Sequence, residues 1–236
     1  MTEELAAVDA YARETEGTVV EIAEDGVILD RTVFYPRGGG QPGDTGELSW
    51  VGGSMRVADT YKREGGVVHV PEGDLPAPGT AVRARIDWDR RYRLMRTHTA
   101  LHVLSSVIWR DWGAKVTGGN MEPGVARMDF ELDSMSVEFG QEVEKRLNAA
   151  LAQGHPVQVR FVPRATALAD PDLIRTKVNL IPESVDPIRV IEIGTIDKQA
   201  DGGTHVANTS EVGTVRVVKT ESKGRGNKRM RIELSS

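Results

Sequence analysis

Cysteine is absent from this 236-residue chain, and histidine occurs only five times. Without cysteine there is no disulfide framework, no thiolate nucleophile and no sulfur ligand, so a metal site has to use nitrogen and oxygen. Such a composition fits a reducing cytoplasm. No run approaches the ~18 apolar residues of a membrane span. The opening "MTEELAAVDA" carries acids where a secretory signal needs a basic and then an apolar stretch. The expectation is a soluble, cytoplasmic protein without a membrane partner. An overall positive charge is also missing: the formal net charge is -5, which by itself does not advertise nucleic-acid binding.

Charge is nevertheless unevenly placed. Residues 83 to 96 hold Arg83, Arg85, Arg90, Arg91, Arg93 and Arg96 against Asp87 and Asp89. The segment from 216 onward holds Arg216, Lys219, Lys223, Arg225, Lys228, Arg229 and Arg231 against Glu221 and Glu233. Two basic segments in an acidic protein suggest a docking face for an anionic partner, with a solvated strand and helix surface as the plain alternative.

The length fits one large domain or two ordinary ones. Over the first ~85 residues, short β-branched runs alternate with glycine and proline, as in "GTVVEIAEDGVILD" and "GELSWVGGSMRVADTYKREGGVVHV". Short antiparallel strands of this kind predict a small barrel, assigned to residues 1–88. The period then changes. In "DRRYRLMRTHTALHVLSSVIWRDWG", Leu94, Leu101, Leu104 and Ile108 recur at helical spacing, with Asp87 or Asp89 placed to cap and Gly113 to stop; a helix of roughly five to six turns follows. A second helix is expected from about Val137 to Gln153, and strands at "PVQVRFVP", "IRVIEIG", "GTVRVVKTES" and "RMRIEL". Residues 89–236 thus read as an α+β domain with helices on one mainly antiparallel sheet.

"GGGQPG", Gly38 to Gly43, matches the spacing of the dinucleotide fingerprint. That motif needs a helix to begin within it, whereas this chain continues into strand-like "DTGELSW", so a glycine-rich hairpin corner is the reading.

His98 and His102 in "HTALH" lie four residues apart, on one face of the long helix, where two imidazoles can converge on one ion. Alone, such a pair is more often simply packed or exposed. "DGGTH" adds Asp201 and His205 from one glycine-rich segment, completing a four-coordinate nitrogen and oxygen set of a kind zinc accepts. His69 and His155 lack such company and are expected on the surface. A metalloprotease is disfavoured, because its helix carries a glutamate immediately after the first histidine and this chain has Thr99.

"RTHTALHVL" followed by "DKQADGGTHVANTSEVG" resembles the freestanding alanyl-tRNA editing proteins and the editing domain of alanyl-tRNA synthetase, whose signatures are H-x-x-x-H and C-x-x-x-H. The glycine-rich "FYPRGGGQPGDTG", the central "VTGGNMEPGVARMDF" and the closing "KGRGNKRMRIEL" are similar in the same order, over roughly residues 27 to 236. The resemblance implies hydrolysis of the ester in misacylated tRNA for alanine, chiefly the seryl and secondarily the glycyl form. It implies one zinc ion per chain held by His98, His102, Asp201 and His205. The family usually has cysteine at position 201; the aspartate found here is a harder ligand, which makes other divalent ions more competitive.

An apolar synthetic pocket rejects an added hydroxyl only weakly, so a second site that grips serine's hydroxyl is needed. Thr117 is the candidate for that contact, with an ordinary strand threonine as the alternative; Thr97, Thr99 and Thr204 offer hydroxyls near the ion. The ion either orients the aminoacyl group or lowers the pKa of a water. Phosphate contacts are expected from Arg90, Arg91, Arg93, Arg96, Lys223, Arg225, Lys228 and Arg229, and support of the pocket from Gly38, Gly39, Gly40 and Gln41. No obligate protein partner is expected. Two other readings are a metal-stabilised nucleic-acid-binding module without catalysis and a metallohydrolase of a different aminoacyl-tRNA.

Overall fold

Strand alternation is plainest in "AVRARI": Val82, Ala84 and Ile86 are buried while Ala81, Arg83 and Arg85 face solvent. In a computed structural model, which describes residues 2–170, 173 and 181–235, this is the last strand of a closed barrel. The chain divides into two compact units, Met1–Arg93 and Leu94–Ser236.

The first unit contains β1 (Glu3–Glu4), β2 (Glu14–Ala23), β3 (Gly26–Leu29), β4 (Arg31–Thr32), β5 (Gly46–Trp50), β6 (Gly53–Arg63), β7 (Gly66–Glu72) and β8 (Ala81–Ile86). The barrel runs β2-β3-β7-β6-β5-β8 and closes because β2 pairs with both β3 and β8, which leaves no open edge. Its interior is filled by Val19, Leu29, Phe34, Leu48, Met55, Val57 and the inward residues of β8. Outside, Arg83 pairs with Glu14 at 2.5 Å and Arg85 with Glu47 at 3.5 Å.

The glycine-rich segment is a tight turn, as its composition suggests. Gly38 and Gln41 exchange backbone hydrogen bonds of 3.1 and 2.9 Å around Gly39 and Gly40, at φ 59° and 85°, a conformation that glycine alone adopts freely. At Gly43 a Cβ would lie 2.2 Å from the Thr60 carbonyl oxygen, so the strand approach itself demands glycine.

Two polar residues in this unit depart from expectation. His69 is wholly buried rather than on the surface. Its Nδ1 lies 3.0 Å from the Val27 carbonyl and its Nε2 2.7 Å from Thr32 Oγ1, so the neutral ring donates from Nδ1 and accepts at Nε2. Burial lowers its pKa to about 4. The unfolded chain therefore binds a proton that the folded one refuses between pH ~6.5 and about 4, so this contribution to stability is full above that window and is lost as pH falls through it, by about 3 kcal/mol in all. Urea midpoints measured from pH 7 to 4 are expected to fall less steeply for His69→Gln than for the parent protein. Equal slopes would show that the ring does not carry the effect.

Arg91, expected to meet phosphate, is buried as well. Its Nε sits 3.0 and 2.9 Å from the two oxygens of Asp44, Nη2 also pairs with that carboxylate, and the fork donates to the carbonyls of Ala10 at 2.9 Å and Val33 at 2.7 Å. A charge so enclosed and so completely bonded is a structural tie, unavailable to a ligand.

α1 (Trp88–Trp112) begins where Asp87 caps it, its Oδ1 accepting from Arg90 N at 3.1 Å, and ends at Gly113, φ 64°. At 25 residues it makes about seven turns, longer than the spacing suggests, because the cap precedes the apolar stripe. The division between units falls within it.

The second unit adds β9 (Val116–Glu122), β10 (Val125–Phe130), α2 (Val137–Leu151), β11 (Val157–Val162), α3 (Arg164–Leu168), β12 (Ile188–Ile193), β13 (Asp197–Ala200), β14 (Val215–Ser222) and β15 (Lys228–Leu234). Its described strands form two antiparallel sheets, β14-β15-β10-β9 and β11-β12-β13, where the sequence suggested one. α2, capped by Ser136, packs Gly140 closely on Thr220 and Val217 of β14. No helix among the described residues is long and apolar enough to cross a membrane.

Candidate metal centre

His98 and His102 project from the middle turns of α1 with 4% and 7% of their surface exposed. The other two members arrive by a hairpin. β12 and β13 are joined by a turn in which Ile196 N bonds to the Ile193 carbonyl at 3.0 Å and Gly194 adopts φ 49°. After β13 the chain bends through Asp201–His205, and Gly203 N donates to Asp201 Oδ2 at 2.6 Å. Arg189 on β12 fixes the same loop, its backbone carbonyl accepting from Asp201 N at 3.1 Å and its Nη1 donating to the Asp201 carbonyl at 2.9 Å.

The result is one buried cluster. One ligand atom each from His98, His102, Asp201 and His205 can be chosen so that all lie within 4.8 Å of one another. Asp201 Oδ1 is 3.5 Å from His98 Nε2 and 4.0 Å from His102 Nε2, and Oδ2 is 3.0 Å from His205 Nε2. A tetrahedral ion with bonds of ~2.0–2.1 Å holds its ligands roughly 3.3 Å apart, within this spread. The donor chemistry and the spacing therefore fit a divalent metal.

Protonation favours the same conclusion. Burial pushes His98 down to about 4, ahead of the smaller effects of Asp201, His102 and Arg189, and pushes His205 well below its ordinary value. Burial works to raise Asp201, but its interactions with His98, His205 and His102 outweigh it and hold the carboxyl well below its usual range. At neutral pH His98 and His205 are therefore neutral imidazoles beside the Asp201 carboxylate, a form that binds a metal without first losing protons.

The rings are held from behind. His102 Nδ1 lies 2.9 Å from Asp197 Oδ2, and Gln199 Nε2 donates to both oxygens of Asp197 at 3.0 and 2.9 Å. His205 Nδ1 lies 3.2 Å from Thr99 Oγ1, which also accepts from Val206 N at 3.3 Å. With each Nε2 turned to the centre, the proton sits on Nδ1 and these partners fix its tautomer. Asp197, Gln199 and Arg189 were not singled out in the sequence. Asp197→Asn is expected to keep the fold while weakening metal affinity roughly 10- to 100-fold, measured by competition with a chromogenic chelator. Unchanged affinity would mean that Asp197 merely fills space.

Thr97, Thr99 and Thr204 are buried; Thr97 Oγ1 accepts from Gly124 N at 3.0 Å. Thr117 is different: it is exposed on β9 and donates to Asn227 Oδ1 at 3.1 Å. His155 is half-buried and bonded to Gln153. Of the expected phosphate contacts, Arg93, Lys223 and Arg225 are exposed and Arg90 is half-buried. Arg96 donates to the carbonyls of Val212 and Ser235. Arg229 forks onto Asp129 at 2.7 and 2.8 Å. Lys228 is a correction like Arg91: it is buried, with Nζ donating to the Gly224 carbonyl at 2.7 Å across its own hairpin. Gly38–Gln41 lies in the first unit as the turn described above.

Residues 3–90 match the family model described as tRNA synthetases class II (A), and residues 188–231 match the threonyl and alanyl tRNA synthetase second additional domain. The alanyl-tRNA editing protein AlaX-M of Methanosarcina barkeri is 39% identical over 237 residues, 98% of each chain. The chain belongs to the alanyl-tRNA editing protein family. The AlaX-M protein of Saccharolobus solfataricus is likewise 39% identical over 233 residues, again 98% of each chain. The alanine–tRNA ligase of Pyrobaculum arsenaticum is 37% identical over 228 residues, which are 93% of this chain but 25% of the ligase. This alanyl-tRNA editing family member thus corresponds along nearly its whole length to freestanding editing proteins, and to a quarter of a synthetase.

Proposed function

We propose that this protein is a trans-acting editing hydrolase that removes the wrong amino acid, chiefly serine and secondarily glycine, from tRNA for alanine at a zinc-containing site, working in the cytoplasm. Membership of the family makes it an aminoacyl-tRNA deacylase, which cleaves the ester between amino acid and tRNA. The observation that carries the finer reading is the buried His98, His102, Asp201 and His205 cluster, in which burial keeps the His98 and His205 rings neutral.

A divalent ion bound there supplies a Lewis acid that orients and polarises the aminoacyl end. The chain's own groups do the rest. Asp197 and Thr99 hold two imidazoles in the ligating tautomer, while the buried hydroxyls of Thr97, Thr99 and Thr204 line the polypeptide around the ligands. Exposed Arg93, Lys223 and Arg225, with Arg90, supply positive charge for tRNA phosphates.

The test is a side-by-side deacylation of seryl-, glycyl- and alanyl-tRNA for alanine by zinc-loaded protein. Rapid loss of serine with alanine retained is the expected result. A folded, metal-loaded protein that binds tRNA yet releases neither serine nor glycine would overturn it in favour of a binding module. Preference for a different charged tRNA would reassign the substrate.

A further inference from the structure

Ser105 is a buried hydroxyl on α1 with 3% of its surface exposed, and its Oγ has no hydrogen-bond partner among the described residues. Buried polar groups in native proteins are nearly always paired, and an orphan costs free energy that folding has no reason to accept. Its position is informative. Ser105 follows His102 by three residues and His98 by seven, so all three fall on one stripe of the helix, the stripe that presents the ligands.

The neighbouring polar groups of this stretch are engaged. Ser106 donates to the Ile196 carbonyl, Thr99 meets His205 and Val206, and His102 meets Asp197. Thr117, the other candidate for gripping a substrate hydroxyl, is exposed and bonded to Asn227. Ser105 therefore combines burial, an unused donor and acceptor, and placement beside the ligands.

We propose that Ser105 is a specificity-determining residue of the deacylase, pairing through Oγ with the side-chain hydroxyl of a seryl ester. The inference rests on the editing reading above. Its chemistry is discriminating: a seryl group brings the partner that Ser105 lacks, whereas an alanyl or glycyl group leaves the hydroxyl orphaned. A site built to bond a hydroxyl disfavours analogues without one, because its own polar group then stays unpaired.

The experiment compares Ser105→Ala and Ser105→Thr with the parent protein, all zinc-loaded, on seryl- and glycyl-tRNA for alanine, with thermal unfolding of each free protein. Ser105→Ala is expected to lower kcat/KM for the seryl substrate roughly 10- to 100-fold and to leave the glycyl value within about threefold. It should also unfold at the same or a higher temperature, since an unpaired buried hydroxyl has been removed. Ser105→Thr, which retains the hydroxyl, should keep the preference for serine.

A purely structural role would lower both substrates together and depress the unfolding temperature, and this result overturns the proposal. An unchanged ratio of seryl to glycyl turnover in Ser105→Ala overturns it as well. If the parent protein itself releases no serine, the editing reading has failed and Ser105 falls with it, a result distinct from either.

Discussion

Changing His98 and His102 together to alanine is expected to lower deacylation of seryl-tRNA by at least ~10³-fold, the scale of a few kcal/mol of lost electrostatic assistance. The two substitutions remove half of a four-membered donor set and leave Asp201 and His205 from a single loop. They also strand Asp197, whose carboxylate would face an empty pocket where His102 Nδ1 now sits at 2.9 Å. Metal content measured after dialysis should fall from about one ion per chain to near none, in step with activity. Retained metal with lost activity would point to the imidazoles acting directly on substrate; retained activity without metal would remove the ion from the proposed chemistry. His155→Ala is the control, because that ring is half-buried and bonded to Gln153, outside the ligand set.

Arg91→Ala carries the largest expected effect on stability. The substitution leaves Asp44 buried, with 1% of its side chain exposed, and deprives it of its guanidinium partner. It also frees the carbonyls of Ala10 and Val33. Breaking a buried pair by removing one partner costs about 3–5 kcal/mol, a large share of the total stability of a small domain. Urea unfolding should show that loss. Arg91→Met combined with Asp44→Asn should recover part of it, since no uncompensated charge then remains. A loss below about 1 kcal/mol in Arg91→Ala would mean that water reaches Asp44 and the tie is dispensable.

What could be read in advance follows from which patterns are local. The long helix was legible because an apolar period, the Asp87 cap and the Gly113 stop agree along one stretch. The barrel was legible because β-branched runs alternate with turn residues. Asp201 and His205 could be suspected because a glycine-rich loop follows an apolar strand. Asp197 could not, since its approach to His102 depends on the β12–β13 register that pairs Ile193 with Asp197. The two-sheet arrangement was hidden for the same reason: strand patterns do not name their neighbours.

Charge misled in a related way. Arg91 and Lys228 look like solvent-facing cations until the fold supplies Asp44, 47 residues away, and the Gly224 carbonyl. His69, in a run of valines, was assigned to the surface because it ends a hairpin run without other potential ligands beside it. In the fold it is held inside by Val27 and Thr32 from other strands.

The donor set around Asp201 has one more implication. Peroxide attacks protein metal sites most readily through thiolates, which climb from sulfenic to sulfonic acid and release their ion. With three imidazoles and a carboxylate, and no cysteine anywhere in the chain, that sequence of oxidations has no starting point here. A metal held by these four side chains would not be lost through the thiolate oxidation that releases an ion from a cysteine-ligated centre.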